Sequence, residues 1–334
     1  MTFGPDVLIF VAAAVLSYAL LLGLMPFLAR HAVAKPNARS SHTTPTPQGG
    51  GIAIIIATII ASAVAAMILK ISDITALTIV FLAAAGLALV GAIDDRRPME
   101  AGARLILQAA AVAAVIAALP AELRIVPAGP WWLDRAFMLI GGIWLINVVN
   151  FMDGIDWMTV AEIVPVTAGL VLLGWMGALP VPVVVVAAAL CGAVAGFAPF
   201  NKPVARLFLG DVGSLPIGLL LGWMLVLLAG RGHFAAAILL PLYYLGDATI
   251  TLMRRIARGE PITQAHRNHY YQQALDGGFS IYQIVGRVFA LNFLLAALAV
   301  ATIAKPSPAV GMVCLVAGVV SVNLVLWSFA RARK

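Results

Sequence analysis

Five aspartates stand at three places where this chain passes from long apolar runs into polar sequence. Asp94 and Asp95 lie in "GAIDDRRPM", Asp153 and Asp156 in "NVVNFMDGIDWM", and Asp211 in "FNKPVARLFLGDVGSLPIG". A single aspartate at such a boundary is ordinarily a helix cap or the partner of a surface arginine. Asp211, followed by Gly213 and Ser214, suits an N-cap. Five together fit that explanation poorly, because like charges gathered at low dielectric need a cation. Oxygen ligands without a His/Cys cluster suit Mg²⁺, with Mn²⁺ as the alternative, and not zinc. Such an ion keeps several waters and takes up substrate phosphates, so the residues point to a membrane enzyme handling a phosphorylated substrate.

Two basic segments add to this. "KPNARSSHTTPTPQGGG" brings Lys35, Arg39 and His42 to a glycine run just before an apolar stretch. Backbone NH groups there could cradle an anion at a helix N-terminus, although the segment alone also reads as a Pro/Gly/Thr linker. In "AHRNHYYQ", His266 and His269 flank Arg267 and Asn268 and could donate to a diphosphate. A histidine pair in a basic loop is otherwise a solvated one.

The elements that must hold these residues are membrane helices. Of 334 residues, 63% are hydrophobic and 10% charged, too little polar surface for a water-soluble domain. The apolar runs are continuous and not alternating, which predicts helices and excludes a β-barrel. Eleven spans are predicted: 7–29, 51–69, 74–93, 103–120, 132–149, 159–178, 181–199, 213–229, 234–253, 283–303 and 309–330. The first has no basic residue before it and no small-residue cleavage site, so it reads as a retained helix. Cys191 and Cys314 fall inside apolar runs and read as buried hydrophobes without a disulfide. With no internal repeat, residues 1–334 read as a single integral membrane domain.

Charge sets the orientation. Lys70, Arg124, Arg135, Arg231 and Lys305 fall on one side of the predicted bundle, and the other 16 of the 21 basic residues on the opposite side. The positive-inside rule then puts the N-terminus outside and the C-terminus in the cytoplasm. The loops 94–102, 150–158, 200–212 and 254–282, with their acids, face the cytoplasm. The +7 charge is thus topological, which argues against nucleic acid as a partner. A transporter would place acids near the bilayer midplane and show repeated halves. A lipid-binding scaffold would not need the aspartate set. Asp247, inside the ninth predicted span, reads as a supporting polar group.

The ordered set "KPNARSSHTTPTPQGGG", "GAIDDR", "NVVNFMDGID", "FLGDVGSLPIG", "PLYYLGDATITLMRRIARGE" and "AHRNHYYQ", from about Lys35 to Gln272, resembles the polyprenyl-phosphate N-acetylhexosamine-1-phosphate transferases. This is the superfamily of phospho-N-acetylmuramoyl-pentapeptide transferase. The resemblance implies an eleven-span, all-α enzyme of the bacterial inner membrane with a cytoplasmic site. It implies transfer of a sugar 1-phosphate from a UDP-N-acetyl sugar to undecaprenyl phosphate with Mg²⁺. It also allows a homodimer.

By motif match, Asp94 and Asp95 would stand at the lipid-phosphate and metal end, with Asp94 deprotonating the lipid phosphate. Asp211 would be the principal metal ligand, with Asp153 beside it in the metal and catalytic set. Asn150, Asp153, Gly154 and Asp156 would line the nucleotide cleft near Asn201, and Lys35 and Arg39 would contribute substrate contacts. His266, Arg267 and His269 would hold the diphosphate or sugar. Three features depart from the muramoyl enzymes: His266-Arg267-Asn268-His269 in place of three histidines, Trp157 where many relatives have glycine, and the arginine-rich "DDRRPM". The first resembles transferases that start O-antigen or other surface polysaccharides, Trp157 also reads as an interfacial anchor, and together the three argue against a peptidoglycan substrate. The expected donor is then a 6-deoxy sugar such as N-acetylfucosamine or N-acetylquinovosamine, with N-acetylglucosamine as the alternative.

Overall fold

A computed structural model describes residues 3–34, 44–72, 74–261 and 266–332. Lys35, Arg39 and His42 lie outside the described residues. The described chain is almost wholly helical, with helices α1 (Phe3–His31), α2 (Gly51–Ile68), α3 (Ile74–Asp94), α4 (Ala101–Ala117), α5 (Trp131–Met152), α6 (Met158–Trp175) and α7 (Val181–Phe197). They are followed by α8 (Asp211–Gly230), α9 (Phe234–Leu239), α10 (Leu242–Ala257), α11 (Tyr270–Asp276), α12 (Ile281–Ala304) and α13 (Pro308–Arg331). Eight of these are long and apolar enough to cross a membrane, and α4 and α7 are shorter apolar helices. The protein is a multi-pass, all-α membrane protein.

Ten of the predicted spans coincide with single helices. The ninth, 234–253, is broken: α9 ends at Leu239 and α10 begins at Leu242. Pro241 lies at the break, where it lacks the NH needed to continue the α9 ladder. A further short helix, α11, occupies what reads in sequence as a polar loop.

The helices α7 and α8 form the interior of the bundle, buried along nearly their whole length. By contrast, α1 and α13 turn most of their apolar side chains outward, as lipid-facing helices do. At one end of the bundle a two-residue antiparallel pair, β1 (Val33–Ala34) with β2 (Thr46–Pro47), links α1 to α2. Its second strand runs into backbone bonds with the segment before α8. Phe208 donates to the Pro47 carbonyl at 2.8 Å, and Gly51 to the Leu209 carbonyl at 2.9 Å. The described end of the predicted Pro/Gly linker, residues 46–51, is thereby fixed against the start of α8.

Candidate active site

Asp211 lies at the first residue of α8, with Gly210 in the capping position. The expected capping role falls to its neighbour across the bundle. Asp95 accepts from the backbone NH of Asp211 at 2.9 Å and of Val212 at 3.2 Å, satisfying two donors that the helix itself cannot. A negative side chain one residue beyond α3 therefore caps α8. The approach depends on Gly91: a Cβ there would lie 2.2 Å from the Asp211 carbonyl oxygen. Asp95 is also held by the Gln48 amide. Desolvation pushes the Asp95 carboxyl above the ordinary carboxylate range, opposed by the NH groups of Asp211 and Val212.

The Asp211 carboxylate is set from two sides. Asn150, in the last turn of α5, donates to its Oδ1 at 2.7 Å and to Ser214 Oγ at 2.9 Å. Arg104 of α4 stands 3.8 Å from its Oδ2 and forms a 2.8 Å ion pair with Asp94. Asp94 accepts also from the Met99 NH at 2.6 Å, so both of its oxygens are engaged. Asp94, Asp95, Asn150 and Asp211 thus converge from three helix ends, as the sequence motifs imply.

Asp153 and Asp156 occupy the turn between α5 and α6. Thr159 donates to Asp153 Oδ1 at 2.5 Å. Desolvation by the surrounding protein pushes the Asp153 carboxyl up to about 7; the Thr159 hydroxyl opposes this, while the charges of Asp95 and Asp156 reinforce it. Asp156 takes a more structural part, accepting from the Ala205 NH at 2.9 Å. Asn201 lines the same cleft while accepting from the Trp157 NH at 2.7 Å and donating to the Leu207 carbonyl at 3.0 Å. Gly154 packs under Tyr271 of α11, where a Cβ would meet the phenol oxygen at 2.0 Å.

These groups border a cleft of about 520 Å³ with Asn150, Asp153, Gly154, Asp156, Asn201 and Asp211 in its wall. Gln48, Gln272 and Thr46 also line it, and the sequence reading assigned none of them. Gln48 lines a second groove of about 370 Å³ as well, shared with Asp95, Arg96, His31 and the apolar Leu28 and Ile52. It thus stands where the two meet. Its signal was its place between a fixed turn and the glycine run.

The histidine loop stands beside the cleft and is absent from its wall. His269 is buried, with Nδ1 3.2 Å from Asp247 Oδ1. The Asp247 carboxylate also accepts from the NH groups of Tyr270 and Tyr271 at 3.0 and 3.3 Å, capping α11 from α10. The expected supporting role of Asp247 thus has a physical form: it carries the histidine loop. Arg267 is engaged with Asp276 at 2.9 Å. His266 lies 4.9 Å ring to ring from His269, and desolvation, with the neighbouring His269 and the Arg255 guanidinium, pushes it down to about 4.

Trp157 adopts a left-handed backbone, φ 62°, the region that favours glycine. Glycine, the residue expected there from the resemblance, would take this backbone without strain. Its indole NH donates to the Ala198 carbonyl at 2.7 Å and its ring meets Tyr282 edge-on. The ring braces the α6–α7 side and does not line the cleft.

No three His, Cys, Asp or Glu side chains among the described residues converge closely enough to enclose an ion. The donors offered, Asp211 and Asp153 in one wall, are all oxygen. That set fits a hard divalent cation completed by water and substrate phosphate, and does not fit a fully protein-caged metal.

Residues 77–229 match the model of glycosyl transferase family 4, a stretch that holds every aspartate of the cleft. Over 338 residues the chain is 29% identical to the decaprenyl-phosphate N-acetylglucosaminephosphotransferase of Mycolicibacterium smegmatis, covering 88% of this chain and 81% of that one. It is 27% identical over 318 residues to the Mycobacterium leprae protein of the same name, covering 83% of this chain and 79% of the relative. A shorter match, 29% over 179 residues and 47% of each chain, joins it to a phospho-N-acetylmuramoyl-pentapeptide-transferase of Neisseria meningitidis. With the motifs in order and their aspartates gathered at one cleft, the chain is a phospho-sugar transferase that resembles glycosyl transferase family 4 over residues 77–229.

Proposed function

We propose that the protein transfers an N-acetylhexosamine 1-phosphate from a UDP-sugar to undecaprenyl phosphate, releasing UMP. The reaction would run at the cytoplasmic face of the bacterial inner membrane. The observation that carries this reading is the convergence of Asn150, Asp153 and Asp211 on one cleft at helix ends, with Asp95 capping the helix that bears Asp211. A lipid phosphate can reach such a place from the bilayer and a nucleotide from water.

In the reaction, an oxygen of the lipid phosphate attacks the phosphorus attached to the sugar. A P–O bond forms to that phosphorus, and its P–O bond to UMP breaks, with the electron pair leaving on UMP. Repulsion between the two polyanions is the main obstacle. Mg²⁺ held by Asp211 and Asp153, when bound, would screen this charge and stabilise the departing UMP. The protein's own part is placement. Asn150 fixes the Asp211 carboxylate, Asp95 fixes the helix that carries it, and Arg104 supplies positive charge 3.8 Å away. The expected proton transfer to Asp94 would use a lone pair left beside its bonds from Met99 and Arg104. Those bonds support holding Arg104 against Asp211 as its larger role. Direct attack requires no aspartyl intermediate, and the lipid phosphate is already an adequate nucleophile.

The printed activity of the mycobacterial relatives favours UDP-N-acetylglucosamine as the first donor to test. A 6-deoxy N-acetyl sugar, in the initiation of O-antigen or another surface polysaccharide, is the second reading. The His266-Arg267-Asn268-His269 form favours it, while the Trp157 argument lapses because that ring braces the fold away from the cleft. Purified protein supplied with undecaprenyl phosphate, Mg²⁺ and a panel of UDP-N-acetyl sugars would release UMP with one donor preferred. Absence of release with every donor, the muramoyl-pentapeptide one included, would overturn the proposal.

A further inference from the structure

Glu162 is a fully buried acid in the first turns of α6, beyond the cleft. Asn292 of α12 donates to its Oε2 at 2.6 Å and to the neighbouring Ala161 carbonyl at 2.9 Å. None of the ion pairs among the described residues involves Glu162. Its Oε1, the Asn292 Oδ1 and the hydroxyls of Tyr243 and Tyr244 are all buried polar atoms without a hydrogen-bond partner. These residues come from α6, α10 and α12, and buried polar atoms in native proteins find partners. Two hydroxyl donors and two oxygen acceptors are complementary, and ordered water is the ordinary bridge between such groups.

The surroundings of this cluster tie it to the site. Thr159, three residues before Glu162 on the same helical face, holds Asp153. Tyr243 and Tyr244 open α10, and one turn later Asp247 carries α11. From α11, Tyr271 donates to the Phe151 carbonyl at 3.1 Å and roofs Gly154. The break at Pro241 leaves the start of α10 without a continuous helix before it. Something must fix that start for both arms to meet the cleft.

We propose that Glu162 is a positioning residue of the transferase. Together with Asn292, Tyr243, Tyr244 and bridging water, it locks the start of α10 to α6 and so sets Asp153 and Tyr271 in the cleft. It works by hydrogen bonding. The inference rests on the transferase reading for its activity readout.

The test compares Glu162→Gln, Glu162→Ala and Asn292→Leu in detergent-purified protein, measuring UMP release and thermal unfolding. Glu162→Gln keeps both oxygen and amide contacts and retains the wild-type kcat. Glu162→Ala and Asn292→Leu lose kcat by about tenfold or more, the scale seen when groups behind a site's ligands are removed. The KM for the nucleotide donor stays unchanged, a split that a merely structural role would not give. Wild-type kcat in both truncations, or a Glu162→Gln variant as impaired as Glu162→Ala, would overturn the inference. If Glu162→Ala does not fold, the Gln and Leu variants decide it. A wild-type protein that releases no UMP would instead overturn the transferase reading.

Discussion

Replacing Gly91 by alanine tests whether the contact between α3 and α8 builds the site. The added Cβ would lie 2.2 Å from the Asp211 carbonyl oxygen, against a closest natural approach of about 3.0 Å. The opposing atom is backbone and cannot swing aside, so the helices must separate by roughly 0.8 Å, the difference of those two distances. The Asp95 bonds to the Asp211 and Val212 NH groups, now 2.9 and 3.2 Å, would stretch towards the limit of hydrogen bonding. Overpacking costs about 1–3 kcal/mol, and weakening two charge-assisted bonds adds about 1.5–3 kcal/mol for each one lost. Displacement of reacting groups by about 1 Å costs on the order of 100-fold in rate. We therefore expect Gly91→Ala to lower the unfolding temperature and to cut UMP release by one to two orders of magnitude, about the cost of such a displacement. Gly86, on the same helix, has open space where its Cβ would go. Gly86→Ala should be neutral or stabilise by up to about 1 kcal/mol through helix propensity. Thermal unfolding followed by tryptophan fluorescence, beside a UMP-release assay, reads both variants. If Gly91→Ala matches Gly86→Ala in both assays, the reasoning about the helix contact fails.

Two further expectations follow from the wall of the cleft and the histidine loop. Gly154→Ala should disrupt the site through its 2.0 Å clash with the Tyr271 hydroxyl, and adding Tyr271→Phe should recover part of the loss; a double-mutant cycle with additive effects would contradict this. His266, held down to about 4 from an ordinary 6.5, stays neutral in the fold while the unfolded chain takes up a proton below about 6.5. Its contribution to stability is therefore complete above pH 6.5 and lost as pH falls towards 4; denaturant unfolding across this window should show a shallower decline for His266→Gln, and equal slopes would refute it.

Much of the scaffold was legible because hydropathy reports contact with lipid directly. Ten spans and the gathering of Asp94, Asp95, Asn150, Asp153 and Asp211 at one end follow from runs of apolar residues with acids at their boundaries. The break in the ninth span was masked because the apolar run continues through it, although Pro241 gave a local warning. Glu162 escaped notice for a different reason: its partner Asn292 lies 130 residues away, and no periodicity encodes such a pair. The same holds for Gln48, whose bond to Asp95 spans 47 residues, and for Asp247, which only the fold brings to His269. Trp157 shows the limit of reading a residue by type. Its ring is turned from the cleft, with the indole NH donating to the Ala198 carbonyl, which the sequence could not reveal.

In the proposed function, Asp211 stands at the heart of the cleft that performs phosphoryl transfer. The most direct measurement is UMP release by Asp211→Asn beside wild type, with undecaprenyl phosphate and the preferred donor, across a Mg²⁺ titration. The amide preserves shape and can still pair with Asn150 while removing the negative charge. Wild type should show Mg²⁺-dependent release, and a folded Asp211→Asn protein a loss of about 100-fold or more, the scale of a lost transition-state contact. Wild-type release from that variant at every Mg²⁺ concentration would contradict it.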